Sequence, residues 1–169
     1  MVKPMPDTAA PKLEVQLAGG GTWSLADERP ETLTMIVVYR GYHCPICKGY
    51  LGKLEAMLDR FESQGAAVIA VSMDPRDRAE KARDEWGLAR LRIGYGMDLD
   101  TALAWGLWIT KAIKDTEPDL FPEPGLFWVR PDGRLYLIDV ANMPFARPDL
   151  DLLAERVTRI NAYPTRGTA

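Results

Sequence analysis

The chain of 169 residues holds only two cysteines and a single histidine. Two cysteines cannot build a disulfide scaffold. One histidine leaves too few ligands for a closed zinc site, although Cys44 and Cys47 have the spacing of half of one. No apolar run approaches the ~20 residues that span a bilayer, so no membrane partner is expected. Neither sign of charge dominates: 21 Lys and Arg against 24 Asp and Glu leave a net charge of −3. That balance argues against nucleic acid as a partner. The opening MVKPMPDTAAPK has no apolar stretch and is interrupted by Pro4, Pro6 and Pro11, unlike a signal peptide. Internal repeats and low-complexity tracts are also missing. What remains is a hydrophobic share of 47% and a charged share of 27%, the globular average. A chain of this length buries about 70% of its unfolded surface and needs no staples. The expectation is one cytoplasmic domain over 13–163, preceded by a flexible, Pro-rich arm over 1–12.

The hydrophobic pattern supplies the elements. Leu13, Val15 and Leu17 alternate with polar residues, the mark of a half-buried strand. Gly19-Gly20-Gly21 turns the chain into a hairpin partner at Thr22–Leu25; without a following Lys-Ser/Thr it is a turn, not a phosphate loop. Thr34–Tyr39 is apolar without alternation, as a strand covered on both faces is. From Pro45 to Gln64 the period becomes helical, with Leu51, Leu54, Leu58 and Phe61 on one stripe. A second buried strand covers Ala67–Ser72. Helices follow at Asp77–Trp86 and Leu99–Trp105, the latter capped by Asp98 and with Trp105 read as core. Lys111–Pro124 has no period and reads as an irregular insertion, a segment of the kind that forms lids or partner surfaces. Leu126–Val129 and Leu135–Val140 flank the turn Pro131-Asp132-Gly133, and Pro148 opens a last helix with Leu153, Val157 and Ile160 inward. Strands alternating with helices imply parallel pairing, and the late hairpin an antiparallel edge. The fold class is α/β with a mixed central sheet flanked by helices.

The chemistry is concentrated in Tyr39-Arg40-Gly41-Tyr42-His43-Cys44-Pro45-Ile46-Cys47-Lys48, where a buried strand gives way to the long helix. A thiol at a helix N-terminus meets unpaired N–H groups and the positive end of the macrodipole, both of which favour thiolate. Pro45 suits the first helical turn. Arg40, His43 and Lys48 add positive charge. Cys47, three residues on, can form a disulfide with Cys44 across one turn. Cys44 is therefore the candidate nucleophile and Cys47 the candidate resolving thiol; the plainer reading makes both buried fillers.

This strand–Cys-Pro-Ile-Cys–helix segment resembles the CxxC region of the thioredoxin superfamily. Val68–Leu88 (VIAVSMDPRDRAEKARDEWGL), Gly96–Leu107 and Trp128–Gly133 resemble successive segments of peroxiredoxin-like redoxins of the AhpC/TSA group. The resemblance implies a thioredoxin fold with an N-terminal β-hairpin and an insertion before a strand led by a cis-proline, Pro124, which would face Cys44. It implies a thiol-dependent antioxidant oxidoreductase with no cofactor and no metal, since the cysteines carry the electrons. The substrate would be a peroxide or a disulfide, the reductant an external thiol of thioredoxin or glutathione type, and a homodimer is compatible. The family's Pro and Thr/Ser, seven and three residues before the nucleophile, correspond to Val37 and Gly41, and its second active-site Arg falls near Pro124. Thioredoxin's buried Asp corresponds to Val38. The scaffold thus resembles peroxiredoxins and the CxxC spacing resembles thioredoxin or glutaredoxin.

The supporting residues keep two readings each. Arg40 either steadies the Cys44 thiolate or faces solvent at a strand end. Tyr42 donates a hydrogen bond near the thiol or flanks the loop, and His43 shields the CxxC or does acid–base work. Arg147, alone among Asn142-Met143-Pro144-Phe145-Ala146-Arg147-Pro148, either reaches the rim of the site or leads into the last helix. A non-enzymatic alternative stands beside the enzymes: a redox-sensing or partner-binding module using the insertion.

Overall fold

The computed structural model describes residues 3–169. Strands β1 (Glu14–Leu17) and β2 (Thr22–Ser24) form the opening hairpin, and β3 (Leu33–Val38) leads into helix α1 (Pro45–Glu62). Then come β4 (Ala66–Val71), α2 (Arg76–Glu85), β5 (Arg92–Tyr95) and α3 (Leu99–Ala104). The chain ends with β6 (Ile109–Lys111), β7 (Leu120–Pro122), β8 (Gly125–Val129), β9 (Leu135–Val140) and α4 (Leu150–Ala154). Seven strands make one sheet in the order β2-β1-β5-β4-β3-β8-β9, while β6 and β7 pair with each other. β3, β4 and β5 run parallel; β1 and β8 join them antiparallel.

β3 lacks alternation because the sheet is packed on both faces. Leu33, Met35 and Val37 enter a core shared with α1, α2 and α4; Ile36 and Val38 enter a second core with Trp23, Trp105 and Phe127. All six residues of β3 are buried. Leu51, Leu54, Leu58 and Phe61 hold α1 against the first core with no more than 1% exposure. The end of β3 and the start of α1 are thereby fixed relative to one another, which is what places the Arg40–Cys47 segment. Trp105 is core, 1% exposed, as expected.

Several elements differ from the pattern in the sequence. The insertion is not irregular: Ile109, Thr110 and Lys111 pair with Pro122, Phe121 and Leu120 in an antiparallel hairpin. Its prolines hide this, but a two-stranded sheet has free edges where a missing N–H costs nothing. β5 gives little signal because it has four residues, with Ile93 and Tyr95 separated by a glycine. Gly94 is where β5 is squeezed between its neighbours, since a Cβ there would lie 2.6 Å from Val15 Cγ2 and 3.3 Å from Val71 Cγ2. The last helix is broken. Asp149, not Pro148, caps α4 by accepting the Leu152 N–H at 2.8 Å, and Val157–Asn161 continues as a 3-10 turn. Leu153, Val157 and Ile160 are buried as the stripe requires. Residues 7–10 of the Pro-rich arm hydrogen-bond to the β8–β9 turn, through Asp7 N–H to Leu135 O, Ala10 N–H to Gly133 O and Leu135 N–H to Thr8 O. No helix among the described residues is long and apolar enough to cross a membrane.

Pro124 is not a cis-proline, since every described peptide bond is trans. Pro124 stands between β7 and β8, and its bond takes the trans form that most X-Pro bonds prefer. Glu123 N–H is already bound to Trp108 O at 2.8 Å.

Because α1 presents the site, its packing sets the rigidity there. Leu54→Ala should lower stability by about 2–5 kcal/mol, measured as a reduced urea midpoint at unchanged slope.

Candidate active site

α1 begins at Cys44, which adopts the extended N-cap conformation and accepts the Cys47 N–H on its own Sγ at 3.3 Å. Pro45 occupies the first helical position, where its missing donor is harmless. Cys44 and Cys47 are 1% and 0% exposed and both are free thiols. Their spacing and the helical turn place both cysteines in the first turn of α1, joined by that backbone hydrogen bond.

The pair is strongly asymmetric. A hydrogen bond from the Cys47 thiol, the Cys47 N–H and the Arg40 guanidinium outweigh burial and bring the Cys44 pKa down to about 6. Burial and the negative charge on Cys44 push the Cys47 thiol well up, against the pull of Arg147. At neutral pH the stable form is therefore a Cys44 thiolate beside a Cys47 thiol.

Arg40 stands two residues past the end of β3, where its charge favours the Cys44 thiolate. Glu123, almost fully buried just before β8, pairs with its Nε at 3.0 Å. Thr110 of β6 donates to the other oxygen of Glu123 at 2.7 Å, and the Phe121 ring lies 4.9 Å from the guanidinium carbon. The β6–β7 hairpin thus braces Arg40. The alternative of a solvent-facing Arg40 does not hold.

Gly41 and Tyr42 are set by a residue the sequence did not single out. Asp74, 2% exposed after β4, accepts the Tyr42 N–H at 2.7 Å and pairs with Arg78 at 3.4 Å. Gly41 has φ +130°, and a Cβ there would meet Asp74 Oδ1 at 2.7 Å. No hydroxyl-bearing side chain fits at 41 while Asp74 stays, which explains the missing Thr or Ser. The Tyr42 hydroxyl turns away, donating to Glu85 at 2.5 Å, with its ring stacked on Trp86 at 6.1 Å. Tyr42 flanks the loop and does not serve the thiol. His43 packs edge-on against Phe121 at 4.6 Å, and neither ring nitrogen has a hydrogen-bond partner. Burial, with Arg40 and Arg78 nearby, holds its pKa down at about 4, so it is neutral at pH 7.

Arg147, one hundred residues from Cys47, donates from Nη2 to Cys47 Sγ at 2.9 Å. It reaches the site itself and is more than a connector into the last helix. Pro124 lines a small cavity with Tyr50 and Arg147. Among the described residues no cluster of His, Cys, Asp and Glu suits a metal ion. Glu123, Asp74 and Phe121 carried no signal of their own in the sequence, because each acts through a partner distant in the chain.

A thiolate held at a helix start beside a second thiol and a braced arginine defines a thiol-dependent redox site on a mixed α/β scaffold. The chain matches the AhpC/TSA family over residues 6–138 and belongs to it. It is a peroxiredoxin-like thiol oxidoreductase. A comparison with curated proteins found no significant match. Among solved structures it is similar to a peroxiredoxin-like protein from Aquifex aeolicus, with a TM-score of 0.77 at 13% identity over 95% of this chain and 90% of that one. A reduced 2-Cys peroxiredoxin of Plasmodium vivax gives 0.78 at 12% over 94% and 82%. AhpC of Mycobacterium bovis gives 0.72 at 13% over 96% and 95%. The shared architecture is the thioredoxin fold.

The depressed Cys44 pKa sets a direction for reactivity. Alkylation by iodoacetamide should rise with pH through a midpoint near 6 and then level off, as thiolate forms. Arg40→Met removes a hydrogen bond to a charged group and should raise that midpoint by about one to two pH units, read by intact mass.

Proposed function

We propose that this protein is a thiol peroxidase in which Cys44 attacks and Cys47 resolves. The observation that carries the reading is the buried Cys44 sulfur at the α1 N-cap, which accepts the Cys47 N–H at 3.3 Å. The thiolate attacks one oxygen of a hydroperoxide ROOH, the O–O bond breaks, and RO⁻ leaves to take up a proton as ROH. Cys44 becomes a sulfenic acid. Cys47 sulfur then attacks Cys44 sulfur, hydroxide leaves and is protonated to water, and a Cys44–Cys47 disulfide results. An external thiol of thioredoxin or glutathione type restores both thiols in a reducing, cytoplasmic setting. Arg40 takes the place of the family's hydroxyl and second arginine by offering a fixed cation to the departing oxygen. His43, neutral, shields the thiol with Phe121, and Tyr42 holds the loop.

Disulfide exchange is the second reading, favoured by two cysteines three residues apart in the first turn of α1. In it Cys44 attacks a substrate disulfide and Cys47 releases the product thiol.

One equivalent of hydrogen peroxide should remove two hydrogens from the reduced protein rapidly, and Cys44→Ser should abolish this. A Cys44→Ser variant oxidised at the wild-type rate would overturn both readings. Cys47→Ser separates them: a peroxidase accumulates sulfenic acid on Cys44, whereas an exchanger accumulates a mixed disulfide with a protein.

A further inference from the structure

Arg147 is held so that one edge of its guanidinium is presented to Cys47. Its Nε donates to Pro144 O at 2.7 Å, and the Tyr50 ring lies 5.0 Å from its guanidinium carbon. Tyr50 sits one turn beyond Cys47 on α1 and is itself tied down, donating its hydroxyl to Pro148 O at 2.7 Å. The Pro144–Pro148 segment is thus clamped at both ends, and the fork between them is aimed at Cys47 Sγ at 2.9 Å. Arg40 shares its charge with Glu123; Arg147 has no ion-pair partner among the described residues. Its Nη1 is buried with no hydrogen-bond partner at all. A half-buried cation with an idle donor is costly where only packing is required. A sulfur that must become anionic supplies the need.

We infer that Arg147 is a catalytic residue of the resolving step, stabilising Cys47 as the thiolate that attacks Cys44. The inference rests on the reading of Cys44 as the attacking sulfur. In the reduced protein the Cys44 anion sits against Cys47 and suppresses a second negative charge there. Once Cys44 has reacted its charge is gone. Cys47 then keeps the Arg147 guanidinium as its direct hydrogen-bond donor, with the Arg40 charge farther off, and its proton departs to solvent. The two arginines therefore act in sequence, Arg40 on the first sulfur and Arg147 on the second.

The test times the two steps separately with 2,2′-dithiodipyridine, independently of any peroxide. Cys44 thiolate displaces one pyridinethiol and becomes a mixed disulfide; Cys47 thiolate then attacks Cys44 sulfur, displacing the second and closing the Cys44–Cys47 disulfide. More reagent speeds the first release and leaves the second, intramolecular one unchanged, so the two are resolved by stopped-flow absorbance. Arg147→Met should slow the second release by about 10- to 100-fold, the loss of a hydrogen bond to a charged group, and leave the first within about twofold. Arg147→Lys keeps the charge without the fork and should fall between. A merely structural role would slow both releases together and lower the melting temperature. Should the Met variant fail to fold, the Lys variant decides. A second release at the wild-type rate in whichever variant folds overturns the inference. If hydrogen peroxide oxidises the wild-type protein no faster than a free thiol, it is the peroxidase reading that fails, and the dipyridyl measurement still reports on Arg147.

Discussion

One hydrogen bond organises the site, that from the Cys47 N–H to Cys44 Sγ across the first turn of α1. It makes a sulfur the cap of a helix. A cap must accept, and a sulfur that accepts from unpaired helical N–H groups accepts better as an anion. The same turn that begins the helix therefore ionises the nucleophile and sets the second thiol beside it. This works only while α1 starts at Cys44, which the fully buried β3 on one side and the Leu51–Phe61 stripe on the other enforce.

Around that turn the protein sets two cations by different means. Arg40 extends from the strand end and is braced from a distance by Glu123, Thr110 and Phe121, all on or beside the β6–β7 hairpin. Arg147 descends from the loop after β9 and is braced by Tyr50 of α1. The shared charge of Arg40 suits a lasting thiolate, and the unshared charge of Arg147 suits one formed only in passing. Asp74 completes the frame. By occupying the space beside Gly41 it excludes the hydroxyl that related proteins place there, and it takes the Tyr42 N–H instead. The departure from the family pattern at 41 thus follows from the placement of Asp74.

The sequence by itself determined the frame. Apolar periodicity in β3, α1, β4 and the late hairpin is local, and each follows from which faces are buried. The position of Cys44 and Cys47 at a helix start was equally legible, because capping chemistry acts within four residues. Only the tertiary structure decided the rest. β5 and the strands of the β6–β7 hairpin are only three or four residues long, too short to show a period, and exist because neighbouring strands or each other's backbones satisfy them. The grip of Arg147 on Cys47, of Glu123 on Arg40 and of Asp74 on the loop joins residues 32 to 100 positions apart. A long polar side chain has no periodicity to reveal its target; its partner is set by where the folded sheet and helices bring the backbone.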